Sequence, residues 1–478
     1  MSLFDIIPKA PSIRPALSVG GLFDIVTGNY HPGKNGECIL NGGMAAVNSV
    51  AGPGNTFKSE ILNHLFFTPL ARYSCSKGLI YDTENSMTYS RLNRAANVHS
   101  QLKDLDVEDD DNGRVMFSQS ADVLGDVYFE YIKTIAKDRI KNSKKLLKET
   151  PFVDDDGNYI KAMEPLLVAI DSLSELKVSA IQDKLVDKNA IGESGANTQF
   201  MKDGGAKTQM ITQLPNLGTR AGIYFYQVAH VGMPIVMDQY APVAPKLSHS
   251  KRGMKTKGVP EKFDLINSNL FEIFGASFAG NSSSDKSAKY PKRDADRDAE
   301  NKDLMSIHIV NTRNKNGPSG VTFEIFVSQS AGLLVGLTMF NFLKEQGNYG
   351  LNASGNNSSF ASVFLPDLKF SRTTVREKID SEPKLERAIE IATQMRQMEM
   401  LWSNLEPELH CSPVELYEDI KKLGYDWDVL LATRNYWVFN DDEASHLPYL
   451  STKDLLNIRL GRYHPKWYPV GKDKLKAK

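Results

Sequence analysis

Val50-Ala51-Gly52-Pro53-Gly54-Asn55-Thr56-Phe57-Lys58-Ser59 joins an apolar run, Ala46 to Val50, to a stretch with helical spacing. Glycines in such a turn let backbone N–H groups point inward around phosphate oxygens. The following helix N-terminus adds a favourable dipole, and a lysine and a hydroxyl complete the cradle. On this reading Gly52, Pro53, Gly54, Asn55, Thr56, Phe57, Lys58 and Ser59 form a phosphate site, with Lys58 reaching the β- and γ-phosphates and Ser59 ligating Mg²⁺. Phe57 stands where the general pattern has glycine. A glycine-rich turn with an incidental lysine would carry similar letters, so the flanking strands have to decide.

Three further segments each end a strand-like run in a polar group. Leu166-Leu167-Val168-Ala169-Ile170-Asp171-Ser172 ends in an acid suited to holding hydrated magnesium. Gly78-Leu79-Ile80-Tyr81-Asp82-Thr83-Glu84 is tipped by acids, and Glu84 is the candidate for orienting and deprotonating an attacking water. Gly222-Ile223-Tyr224-Phe225-Tyr226-Gln227 ends in an amide able to sense a γ-phosphate. Acids and amides at strand ends also cap the next helix. Functional groups gathered at the carboxyl ends of parallel strands are nevertheless what an open α/β sheet offers its ligand.

Strand-length runs alternate with helical stretches from about Gly20 to Gly336, which predicts an α/β fold with a largely parallel twisted sheet flanked by helices. Further strands are expected at Leu304 to Val310 and Thr322 to Val327, and helices after Lys58, around Asp122 to Lys137 and around Gly204 to Leu217. Asp104 to Gly113, Asn142 to Tyr159 and Gly280 to Asp303 read as polar exposed insertions. Gly347 to Ser362 is Gly/Asn/Ser-rich and reads as a linker, followed by a helical pattern from Lys369 through Met400. The expected division is residues 1–17, a core over 18–345, a linker and helical extension over 346–400, and a mainly helical C-terminal segment over 401–478.

The 478 residues are 41% hydrophobic and 24% charged, with no apolar run near the roughly 18 residues that span a bilayer, so no membrane association is expected. Met1 to Pro15 lacks the features of a secretory signal, and the expectation is an intracellular, cytoplasmic protein. Cys38, Cys75 and Cys411 form no C-x-x-C pair, which argues against a disulfide framework or a zinc site. The net charge of −1 provides no global attraction to nucleic acid, so polyanion binding would need local basic segments.

Taken together these residues resemble the RecA superfamily, and most closely the UvsX-type recombinases of T-even-like bacteriophages. The resemblance covers about Gly21 to Glu345 and weakens through Met400. Its most specific part is Gly42-Gly43-Met44 followed by Ala51 to Ser59, because phenylalanine directly before Lys-Ser is a feature of that phage group. The resemblance implies a RecA-like ATPase core that binds ATP and Mg²⁺, with Glu84 and Lys58 catalytic and Ser59 and Asp171 at the metal. Gln227 or His230 would be the nucleotide sensor. Asn311 to Gly320 resembles the family's segment whose cations reach a neighbour's ATP, placing Arg313 and Lys315 in that role. Two features depart from the family: only about fifteen residues precede the core-like Ser18 to Asp24, and the end, Gly471 to Lys478, is basic where the family commonly has an acidic tail. The segment from Leu401 matches nothing in the family.

The connection after Gln227 carries Lys246, His249, Lys251, Arg252, Lys255, Lys257 and Lys262 against only Asp238, Glu261 and Asp264. Such a loop can follow a phosphate backbone, and by position it corresponds to the family's second DNA loop. A first loop would lie between Lys177 and Phe200, with Lys184, Lys188 and Gly192 to Gly195. Tyr463-His464-Pro465-Lys466-Trp467-Tyr468 interleaves cations with aromatics that could stack on bases, whereas Trp402, Trp427 and Trp437 are expected to pack a C-terminal core. The expected activity is that of a DNA-dependent ATPase forming homo-oligomeric filaments on single-stranded DNA and pairing them with double-stranded DNA, in the company of phage mediator and single-strand-binding proteins. A hexameric ring helicase and a regulatory ATPase that binds a protein partner are the alternatives.

Overall fold

The computed structural model describes residues 11–178, 196–232, 255–280, 282, 286–355 and 358–469. Its centre is a ten-stranded sheet built from β1 (Val47–Gly52), β2 (Lys77–Asp82), β3 (Val115–Gln119), β4 (Leu166–Asp171), β5 (Ile223–Gly232), β6 (Lys255–Lys257), β7 (Asn269–Phe278), β8 (Leu304–Asn314), β9 (Val321–Ser328) and β10 (Gly332–Leu333). The order is β10-β9-β8-β7-β1-β5-β4-β2-β3, with β6 paired to β5. From β7 through β1, β5, β4 and β2 to β3 every neighbouring pair is parallel, and β8 to β10 add an antiparallel flank. The architecture is therefore mixed α/β, with a large central sheet flanked by helices.

Burial follows from this layering. All six residues of β1 and all six of β4 are buried, as expected of parallel strands covered on both faces. Val50, Leu167 and Ala169 join the core that holds helix α1 (Lys58–Arg72), while Val47, Ala51, Val168 and Ile170 belong to a second core with α2 (Gly125–Lys141) and α3 (Ala196–Ala221). No helix among the described residues is long and apolar enough to cross a membrane.

The six expected strands are all present, but β3, β7 and the short β6 and β10 were not foreseen. The stretch expected as a polar insertion from Asn142 to Tyr159 supplies most of a hairpin, Leu147–Val153 with Tyr159–Met163, whose Phe152 is fully buried. The expected linker, Gly347 to Ser362, contains strands Leu351–Ser354 and Ser359–Ser362, which pair with Leu365–Ser371 in a three-stranded sheet. Phe360 and Phe370 bury against Phe340, so the apolar residues decide here over the Gly/Asn/Ser composition. The insertion ending at Asp303 is pinned by Tyr290, which is fully buried and donates to Asn341 Oδ1 at 2.8 Å.

The C-terminal residues pack onto the beginning of the chain. Trp437 donates to the Ala16 carbonyl at 2.9 Å, and Trp402 donates to that of Ile25 at 3.2 Å. These two tryptophans thus fasten the segment to the rest of the protein, whereas Trp427 packs locally against Phe364 and Tyr417. Asp454 caps its own helix, accepting from Ser451 N–H at 3.0 Å, and also accepts from Cys38 N–H at 2.7 Å.

Burial pushes the Asp454 carboxyl up to about 7, although hydrogen bonds from Cys38 and Ser451 oppose the rise. A folded-state value above the unfolded one contributes stability that is complete at low pH and is lost as pH rises through the folded value. The stability difference between the native chain and Asp454→Asn is therefore expected to shrink from about pH 4 to about pH 7. Denaturant unfolding across that range checks this, and a constant difference would show that Asp454 titrates normally.

Candidate active site

The carboxyl ends of β1, β5, β4 and β2 lie side by side. Gly52 pairs with His230, Ile170 with Gln227, and Asp82 with Asp171. Beyond Gly52 the chain turns through Asn55 and Phe57, both in the left-handed region at φ 57° and 60°, before α1 begins at Lys58. That conformation ordinarily favours glycine. The Phe57 ring is half-buried and packs on the main core, which compensates for its backbone geometry. Lys58 folds over the loop and donates to the Pro53 carbonyl at 2.6 Å. Burial lowers its pKa, while Asp171 and Glu84 pull the other way.

Ser59, the next residue of α1, donates its hydroxyl to Asp171 Oδ2. Asp171 is only 6% exposed, and burial pushes its carboxyl up to about 6 in spite of the Ser59 hydrogen bond, with Glu84 and Asp82 adding repulsion. A carboxylate so disfavoured beside a helix-start hydroxyl is a fitting donor pair for a small divalent cation that keeps most of its waters. No three His, Cys, Asp or Glu side chains cluster as a metal cage among the described residues.

Glu84 sits on a turn held by the fully buried Asp82, whose carboxylate accepts from Glu84 N–H at 2.9 Å and Met87 N–H at 2.7 Å. Glu84 Oε1 receives the Ser172 hydroxyl at 2.9 Å and lies 2.8 Å from His230 Nε2. Burial alone would raise this carboxyl. The His230 and Ser172 hydrogen bonds, with the His230 and Lys58 charges, outweigh burial and hold it below the ordinary glutamate value. Thr83 fixes the two strand ends together, accepting from Ser172 N–H at 2.7 Å and donating to the Ser172 carbonyl at 2.6 Å. Ser172 and Thr83 had no role assigned from sequence; their signal was hydroxyls directly flanking strand-end acids.

Lys58, Ser59, Asp171, Glu84 and His230 are thus brought together. Gln227 is not: it is fully buried, with its Oε1 3.4 Å from the Ser49 hydroxyl and its Nε2 unpartnered among the described residues. Of the two sensor candidates, His230 is the one at the strand end. Arg313 pairs through Leu270 with Ser49, three residues before Gly52, which places it about 10 Å back along the strand direction and two strands across. Its Nε donates to the Asn267 carbonyl at 2.9 Å, and Lys315 Nζ is 3.4 Å from that of Ile266. Neither cation reaches the Gly52–Ser59 loop.

No protein-family model matches this chain, and no curated protein matches it.

Among the basic-loop residues, Lys246, Lys251 and Arg252 lie outside the described residues, as do His249, Lys184, Lys188 and Gly192 to Gly195. Lys255 enters through its backbone in β6, opposite Gly232; Lys257 is exposed opposite His230, and Lys262 is exposed before the short helix Phe263–Ile266. The chain therefore re-enters the sheet beside the residue that touches Glu84.

Replacing His230 with alanine removes a hydrogen bond that favours the charged form of Glu84. The Glu84 carboxyl is expected to titrate at higher pH in His230→Ala than in the native chain. Side-chain carbon NMR of both proteins, with Glu84→Gln to assign the signal, measures this, and identical titrations would remove His230 from the site.

Proposed function

We propose that the chain is an ATP-hydrolysing P-loop protein with a RecA-like core, acting as a DNA recombinase of the UvsX-like kind. The observation that carries the hydrolytic part is the convergence of Lys58, Ser59, Asp171 and Glu84 at the carboxyl ends of neighbouring strands. Lys58 leaves the Pro53 carbonyl for the phosphates, and the loop N–H groups surround their oxygens. Ser59 and Asp171 would hold Mg²⁺, which would neutralise part of the phosphate charge. Glu84 orients the attacking water and accepts its proton, with Ser172 and His230 fixing the carboxylate.

The recombinase part draws support from Phe57 before Lys58-Ser59, and from a basic connection that starts and ends next to His230. DNA there would meet the strand that touches the candidate base. Arg313 and Lys315, anchored on successive backbone carbonyls away from their own phosphate loop, suit contact with the nucleotide of a neighbouring copy.

Lys58→Ala is expected to lower ATP turnover about 100-fold or more while keeping the fold, because Lys58, though buried, belongs to neither apolar core. Glu84→Gln should bind nucleotide but lose turnover by about 100- to 10,000-fold. Steady-state hydrolysis with nucleotide binding measured in parallel tests both, and undiminished turnover in either variant rejects the corresponding role.

Electron microscopy of the chain with single-stranded DNA and a non-hydrolysable ATP analogue tests the assembly. Helical filaments are expected. Closed rings would favour the helicase, and absence of DNA binding would favour a regulatory ATPase. Neutralising Lys251, Arg252, Lys255 and Lys257 together should weaken single-strand binding and flatten its salt dependence, by about 0.7 in log–log slope for each phosphate no longer neutralised. An unchanged slope in a fluorescent-oligonucleotide titration would exclude this connection as the DNA site.

A further inference from the structure

A cavity of about 400 Å³ opens between the Asn29–Asn41 hairpin, the Leu147–Met163 hairpin and the C-terminal segment. Gly33 bridges to Phe152, joining the two hairpins. Half-buried Tyr159, Tyr463 and Trp467 line it, with Trp467 fixed by donating to the Tyr449 carbonyl at 3.0 Å. Charged groups of both signs stand by these rings: Lys34 Nζ lies 4.5 Å from the Tyr159 ring centroid, Lys466 donates to Asn35 Oδ1 at 2.7 Å, and Glu37, Glu149 and Glu443 also line the cavity. The buried Arg434 closes the floor; its guanidinium bonds to Glu443 and to the Tyr436 carbonyl, leaving Nε without a hydrogen-bond partner among the described residues.

We propose that this cavity binds a nucleobase, with Tyr159, Tyr463 and Trp467 supplying stacking surfaces and exposed Lys34 and Lys466 meeting the attached phosphate. Every base has a π-face, so such a site tolerates sequence. Its volume falls in the range of small-molecule sites, and Arg434 and Asn440 provide hydrogen-bonding groups at the wall. A base in a single strand and a free nucleotide share this chemistry. Nothing in the site draws on the phosphate loop, so it stands apart from the ATPase reading.

Photo-crosslinking tests it. The full chain, saturated with a non-hydrolysable ATP analogue, is irradiated with a 5-iodouracil-containing single-stranded oligonucleotide and, separately, with 5-iodo-deoxyuridine monophosphate, and adducts are mapped by mass spectrometry. Adducts on Tyr159, Tyr463 or Trp467 are expected. With the oligonucleotide alone they assign a strand subsite, and with the monomer too they assign a pocket for a single nucleotide. Tyr159→Ala should lower the yield at the other two aromatics, at sub-saturating probe, by about five-fold, the smallest effect expected from losing one stacking partner. Lys466→Ala, on the exposed rim, should lower it without altering thermal unfolding, which separates loss of the site from loss of the fold. Adducts confined to other peptides, or yields indifferent to both substitutions, overturn the proposal. Failure of ATP hydrolysis would leave it untouched.

Discussion

A parallel strand covered on both faces can present a polar side chain to a ligand only where it stops. β1, β4 and β2 are such strands, and the register that aligns Asp82 with Asp171, and Gly52 with His230, collects their last residues at one mouth. The acids there are packed too tightly to be indifferent to one another. Asp171 is pushed up by burial and by its neighbours, whereas Glu84, two residues past the end of β2, is held down by donors from β4 and β5. Two carboxylates a few residues from their strand ends thus acquire opposite characters from their surroundings, one suited to a cation and one to a base.

The same sheet carries a polar seam deeper down. Ser49 on β1 donates to Asn267 Oδ1 at 2.7 Å, and the Asn267 carbonyl in turn receives Arg313. Gln227 completes this group from β5. These side chains share a layer with Val47, Ala51 and Phe225, where an unpaired polar atom is costly. They tie the strand that leads into the Gly52–Ser59 loop to the turn whose carbonyls receive Arg313 and Lys315.

Much of the sheet was legible in the sequence, because buried parallel strands read as short apolar runs and end in recognisable polar groups. Asp171 and Glu84 were singled out that way. β7 was missed because its Asn269, Glu272 and Gly275 interrupt the apolar pattern of a strand that occupies the middle of the sheet. Gly347 to Ser362 misled by composition: its small polar residues suit a linker, but Phe360 anchors a sheet. The partnership of His230 with Glu84 could not be read at all, since it joins residues 146 apart through a register that only the folded sheet defines. Gln227 illustrates the converse. Alternation along β5 turns it under the sheet, and a three-residue difference in position decides which polar side chain faces the mouth.

Trp437 on Ala16, Tyr449 on Cys38 and Leu40, and Asp454 on Cys38 make the segment beyond residue 400 a wall of residues 16–40. A shortened chain lacking residues beyond 400 would therefore expose Leu17, Ile39 and Leu40, all buried in the intact protein, and leave the Ala16 carbonyl and the Cys38 N–H without their partners. Loss of activity in such a truncation would report damage to the entrance of the sheet as much as removal of a separate module. Point substitutions on the outer face are the cleaner way to ask what this part of the molecule does.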